Sequence, residues 1–72
     1  MKDNLHWRIE WKIDGKSSLA AKTLWHAAGY TYNDALSYAL CVYEQIPNVT
    51  EVTISLLNDN TLLCQNYYYQ GG

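Results

Sequence analysis

The stretch Thr31–Ile46, TYNDALSYALCVYEQI, constrains the fold of this chain more than any other. With successive residues set about 100° apart, Val42, Ala35, Ile46, Ala39, Tyr43, Leu36 and Leu40 fall on one continuous arc, and Glu44, Ser37, Cys41, Gln45 and Tyr38 fill the other side. That is the period of a helix with one buried face. Thr31 is placed to cap free backbone N–H groups, and Asp34 offers a capping-box-like partner where the helix dipole favours an anion. Pro47 supplies the stop, because the residue before a proline is pushed out of the helical region. Burial of Leu36, Leu40, Val42 and Ile46 is expected to contribute roughly 1.5–3 kcal/mol each. A helix this short is marginal in water by itself. It therefore needs a sheet to rest on.

The clearest strand precedes it. From Leu5 to Ile13, Leu5, Trp7, Ile9, Trp11 and Ile13 alternate with His6, Arg8, Glu10 and Lys12, giving one apolar and one charged face. Asp14-Gly15-Lys16 reads as a turn. The segment from Ser18 to Ala28 supports two readings. As a helix, Ala20, Ala21, Leu24, Trp25 and Ala28 form an apolar arc, with Ser17 as cap and Gly29 as stop. As a strand after a three-residue turn, it pairs Ile13 with Ser17, Trp11 with Leu19, Ile9 with Ala21 and Leu5 with Trp25. All the apolar residues then share one face, as register demands. The alanines favour helix; the turn and the register favour the hairpin, which is the reading adopted. Val49–Leu57 is a third strand, Asn58-Asp59-Asn60 a turn, and Thr61–Tyr69 a fourth strand.

The expected fold is thus α+β: a small antiparallel sheet in the order β-β-α-β-β, with one helix packed on one face. The alternative order is β-α-α-β-β. At 72 residues the chain is read as a single domain, 1–72, able to bury one core and little else. No apolar run approaches a membrane span. MKDNLHW lacks the apolar stretch of a signal peptide, so a cytoplasmic, reducing setting with free thiols at Cys41 and Cys64 is expected.

No catalytic constellation emerges. His6, His26, Cys41 and Cys64 lack the spacing of a compact metal-ligand set. A Cys–His nucleophilic pair needs both groups in one cleft, and Cys41 is expected on the polar side of the helix, away from His6. The acidic residues are dispersed and the glycines form no phosphate-cradling loop. The expectation is a non-enzymatic chain with no cofactor and no metal.

The aromatic residues carry more information. Trp7, Trp11 and Trp25 are expected to face the helix and fill the core. Tyr38 falls beside Cys41 on the outward side of the helix. In Tyr67-Tyr68-Tyr69, alternation sends the middle ring opposite to its neighbours, so some tyrosine must be exposed. Tyrosine is enriched in binding hot spots because it offers contact area at little entropic cost. Tyr38, Cys41, Tyr67, Tyr68 and Tyr69 are therefore the candidate partner-binding residues.

Charge suggests a second idea. All five Lys and Arg residues lie in the first 22 positions, although the net charge is −2. In the hairpin register just given, Arg8 sits opposite Lys22 on the outer face, and like charges directly opposite are unfavourable. An anionic partner would relieve that contact. Arg8, Lys12, Lys22 and His26 are the candidate nucleic-acid-binding residues of this alternative.

The segment Gly29-Tyr30-Thr31-Tyr32-Asn33-Asp34-Ala35-Leu36 resembles the glycine-to-helix step of the HicB antitoxin family. The proline-rich, cysteine-containing approach to that glycine, usual in the family, is missing here, and no function is carried over from it. The reading preferred from the residues is a small protein-interaction module. It would bind a larger protein or protein complex as an inhibitor or regulator of the phage or mobile-element type, such as an anti-CRISPR protein. A nucleic-acid partner is the less favoured alternative, a membrane is not expected, and a homodimer through an unpaired edge strand is compatible with the pattern.

Overall fold

In the computed structural model, residues 4–71 are described, with the backbone alone at residues 17–19. Strand β1 (Leu5–Ile13) and strand β2 (Lys16–Trp25) form a hairpin. A 3-10 turn at His26–Ala28 leads to helix α1 (Tyr32–Gln45), and β3 (Val49–Asn58) and β4 (Thr61–Gln70) form a second hairpin. The order β-β-α-β-β is the one expected. The sheet is antiparallel, with strands arranged β2-β1-β3-β4. β1 and β3 are therefore central, and β2 and β4 are the edges.

Residues 16–25 form a strand despite their alanines. The Asp-Gly turn and cross-strand pairing with β1 outweigh a helix preference of a few tenths of a kcal/mol per residue (~0.5). The register differs from expectation. Asp14 and Gly15 both adopt positive φ, 52° and 78°, the signature of a two-residue type I′ hairpin turn. Ile13 pairs with Lys16, not Ser17. Beyond it β1 advances from Glu10 to Lys12 while β2 runs from Ala21 to Ser17, a two-residue bulge. An even bulge preserves the parity set by the turn, so Trp7 pairs with Leu24, Ile9 with Lys22 and His6 with Trp25. The expected Trp11–Leu19 contact falls on a side chain outside those described.

The helix begins as its sequence requires. The Thr31 backbone N–H donates to Asp34 Oδ2 at 2.7 Å, and the Thr31 hydroxyl donates to the same oxygen at 3.1 Å. Gly29 before it takes φ 95°, a left-handed value suited to glycine. At the other end Ile46 is extended, ahead of Pro47. α1 lies chiefly over β1 and β3 and touches β4. Trp7, Ile9, Leu24, Val52 and Ile54 from the sheet and Ala35, Ala39 and Val42 from the helix are buried together. Leu36 and Ile46 are half-buried against this core, whereas Leu40 and Tyr43 are 44% and 45% exposed. The small side chains of Ala35 and Ala39 let the helix sit close, and the buried arc is rotated towards Tyr38 relative to expectation.

Trp25 is likewise not in the core. It lies across the opposite sheet face, 47% exposed, its ring 4.5 Å from that of His6. His6 is buried beneath it, and its Nδ1–H donates to the Asn4 carbonyl at 3.0 Å. Among the described residues, no helix is long and apolar enough to cross a membrane.

Candidate functional site

The position of α1 determines which surfaces are available. Because the helix is centred on β1 and β3, its two flanks and the far sheet face remain open. The flank towards β2 forms a hollow of about 300 Å³, walled by Lys22 and Leu24 from the strand and by Tyr38 and Cys41 from the helix. It continues along the helix past Val42, Gln45 and Ile46. Tyr38 is half-buried rather than pointing outward. Its ring lies 6.5 Å from that of Trp11, and Lys22 Nζ stands 5.9 Å from its centroid, at the outer reach of a cation–π contact. Tyr38 is thus a positioned wall, with the exposed Cys41 thiol one turn-edge further on.

The remaining tyrosines lie elsewhere. β4 carries bulges where Val52 pairs with Tyr69 and Thr53 with Tyr67, so Tyr68 is the extra residue. Strict alternation through the three rings is therefore broken. Tyr67 lies on the open face, 60% exposed, beside a polar hollow of about 210 Å³ that also borders Glu10, Thr53 and Gln65. Tyr69 packs on the helix side, its ring 4.6 Å from that of Tyr43, and Tyr68 is half-buried. The five candidate residues thus occupy separate places: Tyr38 and Cys41 on the β2 flank, Tyr67 on the open face, and Tyr68 and Tyr69 on β4 against the core.

The basic set also separates. Arg8 is opposite Thr23 and Ser55, and Lys22 is opposite Ile9 on the helix side. The like-charge contact inferred from the three-residue turn does not exist, because the two-residue turn moves Lys22 to the other face. Lys12 on the open face pairs with Glu51 at 3.3 Å. His26 lies in the 3-10 turn, its ring 6.0 Å from that of Trp7. No common surface presents all four.

The central strip of the open face is internally hydrogen-bonded. Gln65 Nε2 donates to Ser55 Oγ at 3.0 Å, and the Thr53 hydroxyl lies 3.5 Å from the Glu10 carbonyl. Cys41 and Cys64 are free, exposed thiols on opposite flanks of the helix. Among the described residues, no group of three or more His, Cys, Asp or Glu side chains could hold a metal ion.

Sequence reasoning missed three exposed apolar groups: Trp25, Leu40 and Tyr43. Leu40 sat at the end of the apolar arc, a weak signal that it could escape cover. The Asp-Gly pair was the signal for Trp25, since a two-residue turn places it on the same face as His6. No family description, curated protein or solved structure matches the chain.

Proposed function

We propose that this chain is a small, non-enzymatic protein-interaction module whose partner seats in the hollow between α1 and β2. The supporting observation is the composition of that hollow. A fixed aromatic wall, Tyr38, stands among Leu24, Lys22, Asp34 and Cys41 on a flank that the helix leaves open. Rigid aromatic area flanked by a few polar groups is what protein hot spots use. The finer form of the proposal is an inhibitor or regulator acting on a larger protein complex in the cytoplasm, of the phage or mobile-element type, anti-CRISPR proteins included. Its support is the small size and acidic balance of the chain.

The test is capture of a partner from a lysate of the source cells by the immobilised full chain. Cys41→Arg, which puts a bulky charge into the hollow, is expected to abolish capture. Glu44→Arg, on an exposed helix position away from it, is expected to preserve capture. Retention of nothing at micromolar concentration, or equal capture by both variants, defeats the proposal. A plasmid-interference assay unchanged by the protein would remove the anti-CRISPR form alone. The nucleic-acid alternative has lost its geometric premise with the separation of Arg8, Lys12, Lys22 and His26, and no observation now favours it.

A further inference from the structure

The two edges of the sheet differ in chemistry. β2 carries Lys16 and Lys22 and is interrupted by its two-residue bulge. Charged residues on an edge discourage another strand from adding to it, and since β4 is bulged as well, charge is what separates the two edges. β4, TLLCQNYYYQ, has no charged residue and no proline over ten positions. Leu62, Leu63 and Tyr67 on it are among the most exposed large apolar side chains of the molecule. The charges near it, Glu10, Lys12 and Glu51, lie on the inner strands beside the Tyr67 hollow and not on β4 itself. On the helix side, the Tyr43 ring stands 4.6 Å from that of Tyr69, and a hollow is lined by Tyr32 from the helix and by Leu56, Cys64 and Asn66 from the sheet. On the open face Leu62, Gln65 and Tyr67 pair with Leu57, Ser55 and Thr53.

We propose that β4 is a self-association edge, pairing antiparallel with β4 of a second copy of this chain to give a continuous eight-stranded sheet. A two-fold interface opposes each patch to itself, so every charge on it meets its own like charge or a fixed neighbour. A neutral edge escapes that repulsion, whereas β2 would bring its own lysines together. This is why the second copy, and not a charged foreign strand, is the occupant that fits. Directly opposite residues of an antiparallel pair share a sheet face, so the two-fold axis lies between one residue and its own copy and not between two different residues. The bulges at Leu63 and Tyr68 confine the regular part of β4 to Cys64–Tyr67, which centres the axis on Gln65 or Asn66. With the axis perpendicular to the sheet, both helices lie on one face, and their β4-side flanks, bearing Tyr32 and Tyr43, face each other. The hollow beside β2 stays on the outer edge of each copy, so this inference stands apart from the function proposed above.

Sedimentation equilibrium of the full chain tests it. A dimer is expected at high micromolar concentration. Gln65→Lys sets like charges against each other at the axis and is expected to weaken the dimer by at least about tenfold. Its circular dichroism should match that of the parent chain. A second measurement does not depend on that variant. With Cys41→Ser and Cys64→Ser as background, Gln65→Cys or Asn66→Cys should form an intermolecular disulfide under mild oxidation, and Thr23→Cys on β2 should not. A monomer at every concentration overturns the proposal. So does a dimer that survives Gln65→Lys without cross-linking at either β4 position, or a chain that cross-links through β4 only to another protein.

Discussion

Ala39 is fully buried and Leu40, its neighbour on the same helix, is 44% exposed. The smaller residue does more for the fold because position decides burial, and burial decides how much apolar surface leaves water. Ile9 is at the other extreme, fully buried between the helix and its strand neighbours. Ile9→Ala is expected to lower unfolding stability by about 2–5 kcal/mol, since it removes buried methyls and leaves a cavity. Leu40→Ala in dilute solution should cost about 0.5 kcal/mol, as surface substitutions usually do. Urea denaturation of both variants checks the contrast, and equal losses would place Leu40 in the core after all. Tyr38 shows the reverse case. A residue on the polar side of the helical wheel is half-buried, its ring 6.5 Å from that of Trp11, because the buried arc is turned towards it.

The β1–β2 hairpin takes its register from the shortest part of the chain. Asp14 and Gly15 set the parity, and the second half of the sheet fastens them. Gly15 N–H donates to the Thr50 hydroxyl at 2.9 Å, and Asp14 N–H to the Asn48 carbonyl at 3.0 Å. A methyl at Gly15 would meet no atom within 4 Å, so its only cost is the left-handed backbone. Gly15→Ala is therefore expected to destabilise by about 1–2 kcal/mol without altering the spectrum of the folded state. A loss near zero in a thermal melt would show that the turn relaxes. Such local facts explain what was legible in the sequence. The alternation of Leu5–Ile13, the Thr31–Asp34 cap, the Pro47 stop and the Asn58–Asn60 turn each act over a few residues, and each places its element correctly. What failed were properties that one residue of slippage inverts: the face of Trp25 and Lys22, and the alternation through Tyr68. The roll of α1 over the sheet depends on how closely Ala35 and Ala39 let it approach. A helical wheel does not contain that quantity. The candidate residues were thus legible as types, and Tyr38 and Cys41 as neighbours, but not their distribution over three surfaces.

The molecule as a whole is a sheet whose two inner strands carry most of the burial. Ile9, Val52 and Ile54 are in β1 and β3, whereas most described residues of β2 and β4 are exposed. Amide exchange should therefore be slowest in β1 and β3 and faster along the outward-facing amides of β2 and β4. Uniform protection of all four strands in dilute solution would contradict this. The strand order has a further consequence during synthesis. β1 acquires its first neighbour, β2, almost at once, but its other neighbour is β3, which begins only at Val49. Until the ribosome has released that later segment, Trp7, Ile9 and Trp11 stand on a ribbon with one side bare. The nascent chain is then most vulnerable to misassociation along β1, and a holding chaperone would find its longest-lived target there.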